Sequence, residues 1–248
     1  MIYFMLPVYN EEDNIKKTIE ELRSLMKGKD YKIVAVNDGS IDNSLKILNE
    51  LKGKDLVVEG SVVNMNVGAV FSLGIDRVLS EAKDDDIMVI MESDQTSEVA
   101  IIKDLVGPVE KDAADIVIAS RYLKSGGYVN FPFLRLIFSY CANSLMKFYF
   151  PIQNVIDYTI FFRAYRIGLV KKATEHFGRF GLIQSKGFVA NAELLIKLSI
   201  FTKKIKEVPF TYNYGKKIGQ SKINIFRTIN EYFVLINYLK RIFKKVER

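Results

Sequence analysis

Short apolar runs alternate with segments of helical periodicity through the first 120 residues. Between the runs, apolar residues recur every three or four positions, as Ile15, Ile19 and Leu22 do, which predicts helices. This alternation predicts an α/β fold in which a mostly parallel central sheet is flanked by helices. The runs predicted to be strands cover residues 2–6, 32–36, 56–63, 87–91 and 115–119.

After residue 120 the pattern changes. Residues 131–150 are apolar at helical spacing, and a further predicted helix carries Glu193. Two more strands are predicted, over residues 157–164 and 204–210. The spacing of apolar residues in 224–248 predicts a single amphipathic helix.

We therefore expect one domain over residues 1–222, made of the halves 1–120 and 121–222, and a C-terminal amphipathic helix over 223–248. The formal net charge of +7 is divided unevenly between the halves of the chain. Residues 1–120 carry 13 basic and 23 acidic side chains, whereas residues 121–248 carry 23 basic and 6 acidic ones. An acidic first half suits a cation site, and a basic second half suits phosphates, nucleic acid or an anionic membrane.

Two carboxylates, Glu92 and Asp94, directly follow the apolar run 87–91. The run reads as a strand buried on both faces, and ligands bind at the carboxyl ends of such strands. Side chains two residues apart on an extended segment point the same way, so both carboxylates can reach one Mg²⁺ or Mn²⁺ ion. The alternative is an acidic, solvated turn. No glycine-rich phosphate loop is present, so a nucleotide here would need a metal and side chains to hold its phosphates.

No run of about 18 apolar residues is free of charged side chains, so the sequence predicts no membrane-spanning helix. The single cysteine, Cys141, excludes an intrachain disulfide and fits a reducing compartment. We expect a cytoplasmic protein that is peripheral on the cytoplasmic face of a membrane. The C-terminal helix either lies on an anionic membrane surface or packs on the catalytic domain or a second subunit; its apolar face comprises Ile225, Ile229, Tyr232, Ile236, Leu239 and Phe243.

Several short motifs occur in a fixed order along residues 2–222. They are Leu-Pro-Val-Tyr-Asn-Glu at 6–11, Val-Asn-Asp-Gly-Ser-Ile-Asp at 36–42, Asn-Val-Gly at 66–68, Met-Glu-Ser-Asp at 91–94, Ser-Arg-Tyr at 120–122, Asp-Tyr-Thr at 157–159, Glu-Val-Pro-Phe at 207–210 and Gly-Gln-Ser-Lys at 219–222. Arg135 lies fourteen residues after Arg121. The set resembles the inverting family-two glycosyltransferases of the GT-A fold, in particular the dolichyl- or polyprenyl-phosphate hexose (mannose) synthase branch.

The resemblance implies transfer of a hexose from a nucleotide-diphospho-sugar, of the GDP-mannose or UDP-glucose type, to a lipid phosphate with inversion. It implies Mg²⁺ or Mn²⁺ as cofactor, a lipid-phosphate acceptor and an anionic membrane surface as partners, and no nucleic acid, and it leaves a homo-oligomer open. The residues it implies for the nucleotide-sugar are Pro7, Tyr9, Glu11, Val36, Asp38, Glu92, Ser93, Asp94, Lys216 and Lys222.

The resemblance also assigns three further groups of residues. The metal ligands would be Glu92, Asp94 and Gln95; the acceptor-phosphate residues would be Arg121, Arg135 and Ser139; the catalytic residues would be Asp94, Arg121, Arg135 and Glu193. Two departures from the family are a glutamate at position 92, where aspartate is usual, and a lysine at position 216, where arginine is frequent. Glu193 has a second interpretation, as a buried carboxylate paired with a lysine.

Three other functions stay open on the sequence alone. One is transfer to a sugar acceptor during synthesis of a surface polysaccharide or glycan, in which case Glu193 would be the candidate general base. Another is nucleotidyl transfer, although the segment 6–10 is not the glycine-rich loop expected there. The third is a degenerate, non-catalytic, membrane-associated protein that binds nucleotide-sugars.

Overall fold

A computed structural model describes residues 1–216 and 224–246. The strands are β1 (Ile2–Val8), β2 (Tyr31–Asp38), β3 (Leu56–Ser61), β4 (Ile87–Ile90), β5 (Ile116–Ser120), β6 (Gly127–Val129), β7 (Arg163–Arg166), β8 (Ile205–Pro209) and β9 (Thr211–Asn213). The helices are α1 (Ile15–Leu25), α2 (Ser44–Leu51), α3 (Val67–Leu79), α4 (Ile102–Glu110), α5 (Phe133–Tyr149), α6 (Ile167–Phe177), α7 (Ala190–Leu198) and α8 (Ile225–Val246). Short 3-10 turns cover Val99–Ile101 and Tyr214–Lys216.

A seven-stranded sheet, ordered β3-β2-β1-β4-β7-β5-β8, forms the centre of the molecule. Strand β7 runs antiparallel to both of its neighbours, and the other pairs in this sheet are parallel. A second sheet pairs β6 with β9. The expected α/β class with a mostly parallel central sheet and flanking helices is therefore confirmed.

The central strands are buried because their apolar residues do not alternate with polar ones. Every residue of β4 and β5 is buried, and only one residue of β1 is partly exposed. Helix α1 covers the sheet through Ile15, Ile19 and Leu22, as their spacing predicts. The polar ends of β1, β2, β4 and β5 therefore lie at one edge of a rigid sheet, which is where a ligand has access.

The strand predicted over residues 157–164 is mostly wrong. Only Arg163–Arg166 pair with the sheet, and the preceding residues are irregular. The Asp157 carboxylate accepts backbone N–H bonds from Thr159 and Ile160, at 3.2 and 3.1 Å. These side-chain bonds stabilise a turn and compete with strand pairing.

Helix α8 packs its apolar face against the body of the protein. Tyr232, Leu235, Ile236 and Leu239 are all buried. Of the alternatives for this helix, the structure therefore shows packing of this face on the domain. The expected boundary between residues 222 and 223 lies outside the described residues. Within the described ranges, no helix combines the length and the apolar character needed to cross a bilayer.

Candidate active site

A cavity of about 820 Å³ opens at the carboxyl edge of the central sheet. Loops after β1, β2, β4 and β5 form one side of it, and residues of α5 and α8 form the other. The sequence-predicted residues that line it are Pro7, Tyr9, Glu11, Asp38, Glu92, Ser93, Asp94, Arg121, Arg135 and Ser139. The sheet thus brings together side chains that lie up to 132 residues apart in the sequence.

Two carboxylates face this cavity directly after β4. Glu92 accepts a hydrogen bond from the Ser97 hydroxyl, and Asp94 accepts one from the Thr96 hydroxyl. Burial raises the pKa of Glu92, and the nearby charge of Asp94 raises it further. A divalent cation would relieve that repulsion, and carboxylate oxygens are ligands suited to Mg²⁺ or Mn²⁺. The pair therefore fits such an ion.

No cluster of three or more His, Cys, Asp or Glu side chains placed to hold a metal occurs in the described part of the chain. An ion at Glu92 and Asp94 would thus need ligands from a bound diphosphate or water. Gln95, the third expected ligand, does not line the cavity, and its amide donates a hydrogen bond to the Thr18 hydroxyl at 2.7 Å. Val36 is fully buried in the core and likewise does not line the cavity.

The loops after β1 and β2 form the far end of the cavity. Asp38 accepts hydrogen bonds from the Met65 backbone N–H and from the Asn64 amide, the latter at 3.0 Å. Burial raises the pKa of Asp38, although these hydrogen bonds oppose the rise. The backbone N–H of Glu11 donates to the Ser44 hydroxyl at 2.7 Å. These contacts hold the polar groups at the far end in fixed positions before any ligand binds.

Arg121 is buried and makes a bidentate ion pair with Asp157. Its Nε and Nη2 groups donate to the two carboxylate oxygens at 2.8 and 2.7 Å, and Nη2 also donates to the Thr159 hydroxyl at 2.6 Å. Burial alone would raise the pKa of Asp157, but the charge and hydrogen bonds of Arg121 outweigh it and lower that pKa. Arg121 is therefore fixed in orientation by the protein itself.

Tyrosines surround this ion pair. The Arg121 guanidinium carbon lies 5.7, 5.3 and 5.9 Å from the ring centres of Tyr122, Tyr128 and Tyr212. The Ser139 hydroxyl shares a 2.7 Å hydrogen bond with that of Tyr122. Burial and the charges of Asp94 and Glu92 raise the pKa of Tyr212.

The sequence reasoning did not assign these tyrosines, nor Tyr232 of α8, which also lines the cavity. Tyr212 follows the motif at 207–210, and Tyr232 belongs to α8. Neither residue lies in a motif of its own. The feature of the sequence that could have indicated these tyrosines is the concentration of aromatic residues in the second half of the chain.

Arg135 lies on α5 and faces the same cavity from the opposite side. Its guanidinium carbon is 5.8 Å from the ring centre of Tyr214. Both arginines assigned to an acceptor phosphate are therefore cavity residues, but they differ in burial: Arg121 is buried, whereas Arg135 is partly exposed.

Glu193 is not part of the cavity. It is fully buried on α7, forms an ion pair with Lys197, and accepts the backbone N–H of Ser185 at 2.8 Å. Burial lowers the pKa of Lys197, although Glu193 opposes the decrease. The structure therefore matches the second interpretation of Glu193, a buried carboxylate paired with a lysine. We propose no catalytic role for this residue.

The two lysines expected to contact the donor lie near residue 220. Lys216 does not line the cavity, and its ammonium pairs with exposed Glu98 at 2.6 Å. Lys222 lies outside the described residues.

Three comparisons with known proteins bear on the family and the fold of this chain. The model for Glycosyl transferase family 2 matches residues 3–175. Dolichol-phosphate mannosyltransferase of Pyrococcus furiosus is 30% identical over 229 residues, which are 92% of this chain and 60% of that protein. Polyprenol monophosphomannose synthase of Mycolicibacterium smegmatis is 26% identical over 223 residues, which are 89% of this chain and 80% of that protein. This chain thus spans less than two thirds of the length of the Pyrococcus relative.

Among solved structures, glucosyl-3-phosphoglycerate synthase of Mycobacterium tuberculosis, in complex with Mn²⁺, UDP and glucosyl-3-phosphoglycerate, has a TM-score of 0.66 to this chain. The alignment covers 96% of this chain and 78% of that one at 17% sequence identity. At that identity the likeness shows the fold alone, and it confirms the expected GT-A type. Because the family model matches well over half of the residues, the chain belongs to Glycosyl transferase family 2.

Proposed function

We propose that this protein transfers a hexose from a nucleotide-diphospho-sugar to a polyprenyl or dolichyl phosphate, with inversion at the anomeric carbon. The observation that carries the proposal is the composition of one cavity. Its sheet-edge side has the carboxylates Glu92 and Asp94, and its other side has Arg135 within an apolar helix. The names of the relatives, which are synthases and transferases of lipid-phosphate mannose, support the same reading.

On the donor side, the far end of the cavity would hold the nucleoside. Tyr9 offers a ring face, and Asp38 and Glu11 offer carboxylate acceptors for the base or the ribose. The diphosphate would then extend toward Glu92 and Asp94, which would hold a divalent ion on it. Such an ion, when bound, neutralises charge that develops on the departing diphosphate.

On the acceptor side, Arg135 would hold the phosphate of the lipid. Arg121 is already paired with Asp157, so we assign it a supporting role: it keeps a fixed positive group beside the rings of Tyr122, Tyr128 and Tyr212. A guanidinium suits a phosphate because its planar fork matches two oxygens at once. Ser139, whose hydroxyl bonds Tyr122, would position the tyrosine hydroxyls near the same phosphate.

The reaction needs no general base with this acceptor. An oxygen of the phosphate forms the new bond to the anomeric carbon, while the bond from that carbon to the nucleoside diphosphate breaks and its electron pair leaves with the diphosphate. A phosphate oxygen is already anionic at neutral pH, so no proton has to be removed. A sugar hydroxyl would need a base, and Glu193, the candidate for that task, is buried away from the cavity. The position of Glu193 therefore gives no support to the sugar-acceptor alternative that relied on it.

A lipid acceptor confines the reaction to a membrane surface. We accordingly propose that the protein is peripheral on the cytoplasmic face of a membrane.

The donor and metal assignments are tested together by thermal unfolding with UDP or GDP, with and without Mn²⁺. We expect one nucleotide to raise the unfolding temperature, and more so with Mn²⁺, because a ligand that binds only the folded state stabilises it. Asp94→Ala should lose the Mn²⁺-dependent part. Asp104→Ala, which removes an exposed carboxylate on α4, should behave as wild type. Equal stabilisation of Asp94→Ala and wild type by Mn²⁺ and nucleotide would contradict the metal assignment.

Transfer itself is tested with labelled GDP-mannose and UDP-glucose and a short-chain polyprenyl phosphate in detergent. Formation of a labelled lipid-phosphate sugar of inverted anomeric configuration is the expected result. Nucleotide binding without any transfer to lipid phosphate, or transfer to free sugars instead, would disprove the proposed function.

A further inference from the structure

Large apolar side chains are exposed on α5 and α8. Phe133, Phe148 and Phe226 are 72%, 77% and 83% exposed. Such side chains are ordinarily scattered singly over a protein surface, whereas a contiguous patch marks an interaction site. The residues of this patch, called here the α5–α8 surface, are Phe133, Leu134, Ile137, Tyr140 and Phe148 of α5 and Phe226, Phe233 and Val234 of α8.

The two helices pack side by side. The rings of Phe150 and Phe243 lie 5.7 Å apart, and the Lys240 ammonium lies 3.7 Å from the ring centre of Tyr149. These contacts join the C-terminal half of α8 to the end of α5. The helices that carry the exposed apolar side chains are therefore direct neighbours, and Ile137 of α5 and Phe233 of α8 line the same cavity.

The cavity opens through this surface. Ile137 of α5 and Phe233 of α8 line the cavity, yet they are 42% and 52% exposed. Cys141, one turn after Ile137, also lines the cavity and is exposed. A ligand that enters between the helices thus passes apolar side chains before it reaches Arg135.

The charge around the α5–α8 surface is of one sign. Helix α5 contains no acidic residue, and the one acidic residue of α8, Glu231, pairs with Arg227 at 2.9 Å. The exposed basic side chains beside the surface are Lys147, Lys240, Arg241 and Lys244. Two copies of the chain that met through this surface would bring like charges together, whereas an anionic bilayer would complement them.

We propose that the α5–α8 surface rests on an anionic bilayer, with its aromatic side chains inserted among the lipids and its basic residues on the headgroups. The face of α8 that is apolar by its periodicity packs against the body of the protein. The membrane contact therefore comes from a different set of side chains on α8, together with side chains of α5. This docking places the mouth of the cavity at the lipid–water boundary. The inference rests on the proposed function for the identity of the ligand that enters the cavity at this mouth.

The test is vesicle flotation of the full chain with neutral and with anionic vesicles. We expect binding to anionic vesicles to weaken by about tenfold or more in the triple variant Phe133→Ser, Phe148→Ser and Phe226→Ser, since each inserted ring adds to the partition free energy. None of these three residues lines the cavity. The control is Val62→Ser, which changes an 85% exposed residue beyond the edge strand β3, and it should bind as wild type.

The possible results separate the alternatives. Undiminished binding by the triple variant, or equal loss in Val62→Ser, would overturn the docking surface. A wild-type dimer in solution that becomes a monomer in the triple variant would instead identify a second copy as the occupant, and would overturn the proposal as well. Transfer to a short-chain lipid phosphate in detergent should be unchanged in the triple variant. Absence of transfer in the wild type would count against the proposed function and not against the docking surface.

Discussion

Arg121 owes its fixed position to a buried carboxylate on one side and to aromatic rings on the others. Removing one partner of a buried pair leaves an uncompensated charge, which costs far more than losing a surface pair. Asp157 also holds the turn at residues 159–160, so one carboxylate stabilises both the arginine and the local backbone.

We expect Asp157→Asn to lower the free energy of unfolding by about 3–5 kcal/mol, measured by urea denaturation at neutral pH. The pKa of Asp157 lies below its ordinary value of 3.8, so its contribution to stability is present above that value and is lost as the pH falls through the folded-state pKa. The difference between wild type and variant should therefore shrink in acid. Asp112→Asn, at a surface ion pair with a 72% exposed carboxylate, should change the free energy of unfolding far less than Asp157→Asn does. A gap for Asp157→Asn that stays constant below pH 4 would contradict this account.

Arg135 lies over the ring of Tyr214 and makes further contacts within the protein. We expect Arg135→Ala to raise the apparent KM for lipid phosphate or to lower kcat, while nucleotide affinity stays near wild type. Arg135→Lys should already impair transfer, because the bidentate fork is lost although the charge is kept. Assays in detergent with Lys147→Ala, on the same helix, provide the control. A loss of nucleotide affinity in Arg135→Ala would place this residue on the donor side instead.

At this scale the sequence predicts which side chains meet, because strand ends converge on one edge of a parallel sheet. It does not predict which of them are already paired. Arg121 and Arg135 look alike in the sequence. The ion pair of Arg121 with Asp157 distinguishes the two arginines, and the separation of Arg121 and Asp157 along the chain does not predict that pair. Glu193 shows the same limit: an acidic residue in an apolar helix suits a catalytic base and a buried ion pair equally.

Among the elements, the start of α3 and the segment before α7 are in close backbone contact. The N–H of Gly68 donates to the carbonyl of Lys186 at 2.9 Å, and a side chain at Gly68 would overlap the carbonyl of Ser185. This contact requires a glycine because the obstructing atoms belong to the backbone and cannot rotate away.

We therefore expect Gly68→Ala to destabilise the protein by about 1–3 kcal/mol in thermal or urea unfolding. Gly107→Ala is a control inside α4, where an added methyl group meets no atom within 4 Å apart from its chain neighbours and its own helix. That change should alter the free energy of unfolding by less than about 1 kcal/mol, because the helix preference of alanine is opposed by Pro108, which disfavours a side chain in helical conformation at the preceding residue. Equal effects of the two substitutions would show that packing at Gly68 is looser than described.

Elements with long periodic patterns are predicted from the sequence, as α1, α5 and α8 show. Strands β6 and β9 are three residues each, too short to leave a periodic pattern. The irregular residues before β7 resemble a strand in sequence because most of them are apolar, and the hydrogen bonds of Asp157 distinguish the two conformations.

Over the whole molecule, the acidic and basic halves of the sequence give a charge distribution that bears on association. If the α5–α8 surface docks on anionic lipid, binding should combine a charge-dependent part and an apolar part. We expect vesicle affinity to fall as salt is raised from about 0.05 to about 0.5 M, because the Debye length shrinks from more than 10 Å to about 4 Å. Neutral vesicles should show little change. Affinity for anionic vesicles that is independent of salt would exclude the role given to the basic residues.

Strand β7 has a consequence for modularity. It is drawn from the second half of the chain, yet it separates β4 from β5, and β5 has only β7 and β8 as neighbours in its sheet. A gene fragment that ends at residue 120 would encode β5 without either partner, leaving its backbone groups unpaired. We expect that fragment to be insoluble when expressed alone and to become soluble when co-expressed with the remainder. Soluble, folded fragment alone would disprove this. Residues 1–120 therefore do not form an independent folding unit, and recombination between relatives has to keep the interleaved strands of both halves together.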